Sequence, residues 1–541
     1  MLAFSVIILL VRAASSSSES PAANGALRHV AGAGDVELRR RQGRTLTRLG
    51  ADIDRLVENG AYNAKTTRRG FLRTAAGGLA WVTLGGSLAG AVSATGCETS
   101  ELTRASASKV PAERAWAFRS RPDLRPPGIT VTDPVRRTAS GHLFCAPKNG
   151  PDEAGPGQDG CLILDDRGQP VWFRPVGSEA MDVMDFKLQS YRGRPVLTWW
   201  EGVHEGYGQG EYVLMDGSYR EVARVRAGNG YDGDHHEFLL SPQDTALLDI
   251  YGKVSVDLSP YGGKADSAAL EGIVQEVDIE TGEVLFEWHS LEHVRIDESY
   301  TEPPDDPEVL YDYFHLNSID VDLDGNFLVS ARRTSAVYKI DRNSGEVIWR
   351  LGGKKSDFEM GPGTRTDWQH HARRRSDRTI TIFDNGGVTT DGQSRGIVVE
   401  LDEEAMTATL VREYTHPEKV FAATQGSMQI LPNGNVFIGW GSEPLISEFD
   451  PEGELLFGAR FPLEGESYRA FRFPWTGRPQ DEPAVVAEAG PKEEEVTLYV
   501  SWNGATEVAE WEVLAGPDPE SLEPVGSAPR KGFETALTTR T

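Results

Sequence analysis

The chemistry in this 541-residue chain gathers around its histidines. Of 11, five open three segments: "DHHEF" carries His235 and His236, "YFHLNSIDVD" carries His315, and "DWQHHARRR" carries His370 and His371. Imidazole is a mediocre strand former, so its return at one register asks for a chemical reason. Neutral histidine is a nucleophile or a general acid and base near neutral pH. Arg332 and Arg333 follow the His315 segment, and Arg373, Arg374 and Arg375 follow His370. Guanidinium offers fixed donors to tetrahedral oxyanions. Histidines with arginine, and no glycine-rich phosphate loop, suit transfer of a sulfuryl or phosphoryl group without a nucleotide. A competing reading is a His-ligated metal, since three converging imidazoles could bind Zn2+, Cu2+ or Fe2+. The arginines oppose it, and no acid holds the starting register, although Asp234 and Glu237 are near. No metal ligand is assigned.

These side chains need elements that bring them together. Four segments align: "HEFLLSPQDTALLDIYG" from His236, "HLNSIDVDLDGNFLVSARR" from His315, "HHARRRSDRTITIFDNG" from His370 and "QGSMQILPNGNVFIGWG" from Gln425. Each opens on a polar residue, passes a polar turn suited to a tight hairpin and ends in an apolar strand. His315 to His370 and His370 to Gln425 are both 55 residues. A second hairpin follows each, as in "SAVYKIDRNSGEVIWRLGG", and "CLILDDRGQPVWFRPVG" and "EYVLMDGSYREVARVRAG" supply two earlier, looser copies. Six repeats of four strands predict an all-β chain built as a six-bladed β-propeller. His236, His315, His370 and Gln425 would then face one another across its axial mouth. "TLYVSWNGATEVAEWEVLAG" breaks the pattern and predicts a small C-terminal β-sandwich-like unit.

The boundaries read as follows. Residues 1–97 are leader and signal, 98–124 a linker, 125–480 the propeller and 481–541 the C-terminal unit. The first 97 residues hold 12 basic and 6 acidic side chains, in a chain whose formal charge is −27. That acidity disfavours a nucleic-acid partner. Arg68-Arg69, followed by Gly70-Phe71-Leu72-Arg73 and a mild Gly/Ala-rich apolar stretch, has the pattern of a twin-arginine export signal. An uncleaved membrane anchor is the alternative. Ala94-Thr95-Gly96 before Cys97 is similar to a lipoprotein cleavage site, which would make Cys97 the lipidated residue and limit membrane contact to that anchor or the signal segment. Residues before about Lys65 read as unstructured leader. In an exported, oxidising setting Cys145 and Cys161 are expected to form a disulfide around a Gly/Pro/Asp-rich loop, with two free thiols as the alternative.

"DHHEF", "YFHLNSIDVD", "SARRTSAVYKID", "DWQHHAR", "FDNGG", "LPNGNVFIGWG" and "SYRAFRFPW" resemble the arylsulfotransferase family, the PAPS-independent aryl sulfate sulfotransferases, in a divergent actinobacterial and fungal-type branch. The resemblance spans roughly residues 125–480. It implies a six-bladed propeller that moves a sulfuryl group from a phenolic sulfate to a phenol through a sulfohistidine, with no cofactor. It places the nucleophile on His370, oxyanion contacts on His315 and Arg332, and the leaving-group acid on His236. Asn317 accompanies His315. One residue fewer separates the motifs than in the studied enzymes, so Arg333 is the alternative arginine. Strand alternation would turn His235 and His371 away from the mouth. Trp199, Trp200, Tyr313, Phe314 and Trp368 are candidate walls for the phenyl ring, with Trp199 and Trp368 assigned to substrate. The family continues with further strands past "GFETALTTRT", which implies an incomplete last unit. A non-catalytic exported propeller that binds a ligand or protein is the other class of function.

Overall fold

The structure is a computed structural model. It describes residues 115–540, except 134–135, 149–156, 179, 376–377, 388–389, 463–464, 493–494 and 517–520, together with the backbone of Ile8–Ser15. The export motif at Arg68-Arg69 and the lipidation expected at Cys97 lie outside the described residues.

The described chain is almost wholly β, in six antiparallel sheets of four strands, three of which carry a short fifth strand. The leading strands in chain order are β1 (Asp182–Tyr191), β2 (Phe238–Leu240), β3 (Leu316–Val321), β4 (His370–Arg374), β5 (Ser427–Ile430) and β6 (Ala470–Phe473). Behind each of the first five, three strands return antiparallel. The sixth sheet is assembled from both ends of the repeat region: β6 pairs with His142–Cys145, which pairs with Gly160–Leu164 and then Pro170–Pro175.

The strands are packed on both faces, so they read as continuous apolar runs rather than alternating ones. Phe327–Ala331 and Ala336–Ile340 are buried at every residue. The expected hairpin turns form. Asp322 donates its N–H to the Asn326 carbonyl at 2.7 Å, and Gly325 takes the positive φ of 88° that the turn requires.

Six apolar clusters each join two sheets. Val183, Phe186 and Leu197 of the β1 sheet pack on Phe144, Cys161 and Trp172 of the sixth. Leu162, Phe173 and Ala470 of the sixth pack on Phe437, Ile446 and Phe457 of the β5 sheet. The leading strands adjoin one another in chain order, and β6 adjoins β1.

Two expectations fail here. The linker assigned to 98–124 is part of the core over its last residues, since Phe118 and Leu124 are buried in the cluster under the sixth sheet. Cys145 and Cys161 are free buried thiols. Their strands are adjacent, but Cys145 stands opposite Leu162, so Cys161 points to the other face of the sheet. Each thiol accordingly belongs to a different apolar cluster.

Past residue 481, Ala484–Ala489, Glu495–Ser501 and Glu534–Arg540 form one three-stranded sheet. Val508–Gly516 and Glu523–Pro529 form a second, whose edge is Ile8–Ser15, a strand within the stretch read as leader. Leu498, Val500, Trp511, Val513 and Leu537 pack between the two. Among the described residues no helix is long and apolar enough to cross a membrane.

Candidate active site

Histidines from three sheets meet at the starting ends of β2, β3 and β4. The ring centroids of His236 and His315 are 4.9 Å apart, and those of His315 and His370 are 6.5 Å apart. The backbone bends to achieve this. His315, Trp368 and Gln425 all take left-handed φ values, of 57°, 58° and 66°. Such values on non-glycine residues cost energy and cluster at functional sites. β4 also breaks its register between His370 and Arg373, with His371 at φ 53°. His370 and His371 diverge across this bulge, and the separation that alternation predicted is met.

Each ring is held through Nδ1. His236 bonds to Asp234, and His315 bonds to Asp312. Nδ1 of His370 donates to Oδ1 of Asn385 at 2.6 Å. The orientation of that amide is fixed, because Nδ2 of Asn385 donates to the carbonyls of Ala422 and Gln425, both at 2.9 Å. Asn385 therefore demands a proton on Nδ1 of His370 and leaves Nε2 with its lone pair. The "FDNGG" motif explains the loop: Gly386 has φ 82°, and a Cβ there would lie 2.4 Å from the Gln393 carbonyl oxygen.

Burial, followed by the charge of Arg332, pushes His370 well below the ordinary imidazole value. Burial lowers His315 to about 4 despite the Asp312 carboxylate beside it. Both rings are neutral at neutral pH. Burial opposes ionisation of Asp312, yet His315 and then Arg333 hold it below its ordinary value.

The two arginines separate by partner. Arg333 bonds to Asp312 at 3.4 Å. Among the described residues Arg332 has no carboxylate partner. Its Nη2 donates to the Ala423 carbonyl at 2.9 Å, its buried Nε donates to nothing, and its guanidinium lies 5.2 Å from the Trp368 ring. Burial and Arg333 bring it down only to about 10, so it stays charged. Among the described residues Arg332 is thus a cation without a carboxylate counter-ion, whereas Arg333 is held by the Asp312 of the Asp312–His315 pair.

Several expected residues sit elsewhere. Trp199 is corrected. It belongs to the second strand of its sheet, is fully buried, and donates to Glu201 at 3.1 Å under the Arg174 guanidinium. It therefore lines no mouth. Asn317 is also fully buried, and its amide donates to the Gln369 carbonyl at 2.7 Å, bracing the residue before His370. His371 does leave the cluster, packing on Phe471 and accepting the Met428 N–H at 3.3 Å. His235 does not, because its ring lies 4.0 Å from that of His236.

The sequence reading missed Asp234, Asp312, Asn385, Tyr251 and Tyr468. Tyr251 stacks on His236 at 5.3 Å, and Tyr468 donates to the His236 carbonyl at 3.1 Å. "SYRAFR", which had no role, supplies Tyr468 and also Arg469. Arg469 bonds to Asp185 at 2.8 Å and to Glu237 at 3.2 Å. Lys187 joins the same two acids and Arg373 joins Glu237, giving a buried ion-pair layer next to the histidines. Beyond it a cavity of 310 Å³ opens among Lys187, Gln189, Asp320, His371, Arg373 and Arg375.

The site thus sets three Nδ1-anchored imidazoles in an all-β frame beside a guanidinium that has no carboxylate partner among the described residues. The chain belongs to the arylsulfotransferase (ASST) family, whose model matches residues 187–462. Among curated proteins nothing matches the chain. Among solved structures it is similar to a protein of unknown function from Bacteroides caccae (15% identity, 61% of this chain and 98% of that chain, TM-score 0.38). It is also similar to virginiamycin B lyase from Staphylococcus aureus (8%, 68% and 94%, TM-score 0.31) and to the Dos1 propeller (12%, 71% and 79%, TM-score 0.30).

Proposed function

We propose that the six sheets are the blades of a closed propeller, and that its axial mouth transfers a sulfuryl group from a phenolic sulfate ester to a phenol through a sulfohistidine on His370. The observation that carries this reading is the pairing of a neutral, tautomer-fixed His370 with an unpaired Arg332. Nε2 of His370 attacks sulfur. The N–S bond forms as the bond to the phenolic oxygen breaks, and the departing phenolate takes a proton from Nε2 of His236, which carries a proton on both nitrogens at this step, the one on Nδ1 held by Asp234. Arg332 leaves the Ala423 carbonyl for the sulfuryl oxygens, and His315, taking up a proton on Nε2 as the anion enters, donates to them from the other side. Charge spreads over those oxygens in the transition state, so positioned donors supply most of the rate. In the second half-reaction the acceptor phenol attacks sulfur, His236 takes back its proton and His370 is released. Asp234 and Asp312 keep their imidazoles oriented throughout, as the carboxylate does in a catalytic triad.

The reading extends to setting. The chain is exported by its twin-arginine segment and held at the cell surface through Cys97 or released.

The test is intact-mass analysis after exposure to p-nitrophenyl sulfate without acceptor. The expected result is a sulfuryl adduct on the peptide that contains His370, discharged by added phenol and absent from His370→Asn. Release of p-nitrophenol with no adduct, or an adduct that survives in His370→Asn, overturns the proposal.

A further inference from the structure

Beside the histidine mouth lies a pair of carboxylates that the transfer chemistry does not use in full. Asp234 and Asp249 are both fully buried. Both accept backbone N–H groups. Asp234 Oδ2 accepts from Gly208 and its Oδ1 from His236 at 3.1 Å, and Asp249 Oδ1 accepts from Glu237 at 2.8 Å. Each turns the other oxygen toward imidazole. Asp234 Oδ1 faces Nδ1 of His236 and lies 3.4 Å from Nδ1 of His235. Asp249 Oδ2 lies 4.0 Å from Nδ1 of His236.

Two of these four atoms, His235 Nδ1 and Asp249 Oδ2, make no hydrogen bond although buried. Buried polar atoms are normally paired, and an orphan needs a reason. Countercharge is missing too. Among the described residues the ion-pair partners of Asp234 and Asp249 are imidazoles alone, while Lys187 and Arg469 are taken by Asp185 and Glu237.

We propose that Asp234, His235, His236 and Asp249 form a binding site for one divalent cation of the zinc class. Two imidazole nitrogens and two carboxylate oxygens match the donors and the number that Zn2+ takes in four-coordinate sites. Asp234 Oδ1 and the Nδ1 atoms of His235 and His236 already lie within 4.8 Å of one another. The backbone N–H bonds to Gly208 and Glu237 orient both carboxylates as outer partners do in metal sites. The cation replaces the proton now shared between Asp234 and His236, supplies the positive charge the pair lacks, and leaves Nε2 of His236 free. This site does not depend on the sulfuryl-transfer reading.

The test uses full-length untagged protein stripped with a chelator and titrated with Co2+, read by calorimetry and visible d–d absorption. Saturation is expected at one equivalent, with displacement by Zn2+. Cu2+ bound at the same site should show nitrogen superhyperfine splitting from two imidazoles. Asp249→Asn and His235→Gln should each weaken binding by roughly tenfold or more, whereas His370→Asn keeps it. A Zn2+-dependent rise in Tm reports binding to the fold in each variant. Non-saturable uptake by the unaltered protein, or equal affinity in the unaltered protein and both site variants, overturns the site.

Discussion

Arg332 and Arg333 are adjacent in sequence, yet their partners give them different work. Arg333 is spent on Asp312, and Arg332 faces the mouth with an unused Nε. Arg332→Ala is therefore expected to lower kcat/KM for an aryl sulfate by about two orders of magnitude, the loss typical of one oxyanion donor. Arg333→Ala, which acts through His315, is expected to lose less. Steady-state kinetics of the two variants decide between them.

The buried histidines also tie stability to pH. His315 and His370 titrate below the ordinary imidazole value of about 6.5 in the folded chain, so the unfolded chain binds more protons at acid pH. Their contribution is whole above about pH 6.5 and is lost as pH falls through that value toward about 4 for His315, and further for His370. Thermal melts across this range should show Tm falling with pH, less steeply in His370→Asn. The sequence disclosed His236, His315 and His370 because each opens an aligned segment. It gave no role to Asp234, Asp312 and Asn385, which hold the rings from two loops and the two-residue strand Tyr311–Asp312 that no periodicity announces.

The strands were readable where turn chemistry and apolar runs coincide, as at Asp324-Gly325-Asn326. They misled where the argument depended on which face a side chain takes. Cys145 and Cys161 sit on neighbouring strands, but an offset of one residue in pairing puts them on opposite faces. Trp199 failed for a related reason, because a strand packed on both sides looks alike whether it leads its sheet or follows. His235 shows the limit of alternation, since it lies in the loop before β2 and its ring stays 4.0 Å from that of His236. The cysteine finding has a direct check. Denatured protein, treated with an alkylating reagent and no reductant, should carry the label on both Cys145 and Cys161. Protection of the pair would contradict the two-faced register.

The order of the six sheets followed from four aligned segments and two looser copies, but not the way the sixth is made. β6 comes from "SYRAFRFPW" and pairs with His142–Cys145, so the ends of the repeat region are joined by hydrogen bonds. Arg469 and Arg472 anchor that strand. Arg472 meets Glu448 at 2.8 Å, and Arg469 sits at 0% side-chain exposure between Asp185 and Glu237. Replacing one member of a buried ion pair strands its partners, at a cost of about 3–5 kcal/mol. Arg469→Met is expected to lower unfolding stability by that amount, measured by urea denaturation, and to loosen the β1, β2 and β6 sheets together.

The same layer of Asp185, Lys187, Glu237, Arg373 and Arg469 floors the histidine mouth. A floored mouth has one door. Under the proposed mechanism, ester, liberated phenol and incoming phenol would then pass in turn through the same opening, and none could queue behind another. Traffic of that kind makes the two halves of the cycle take turns by geometry alone, and an acceptor in excess becomes an obstacle to the next donor.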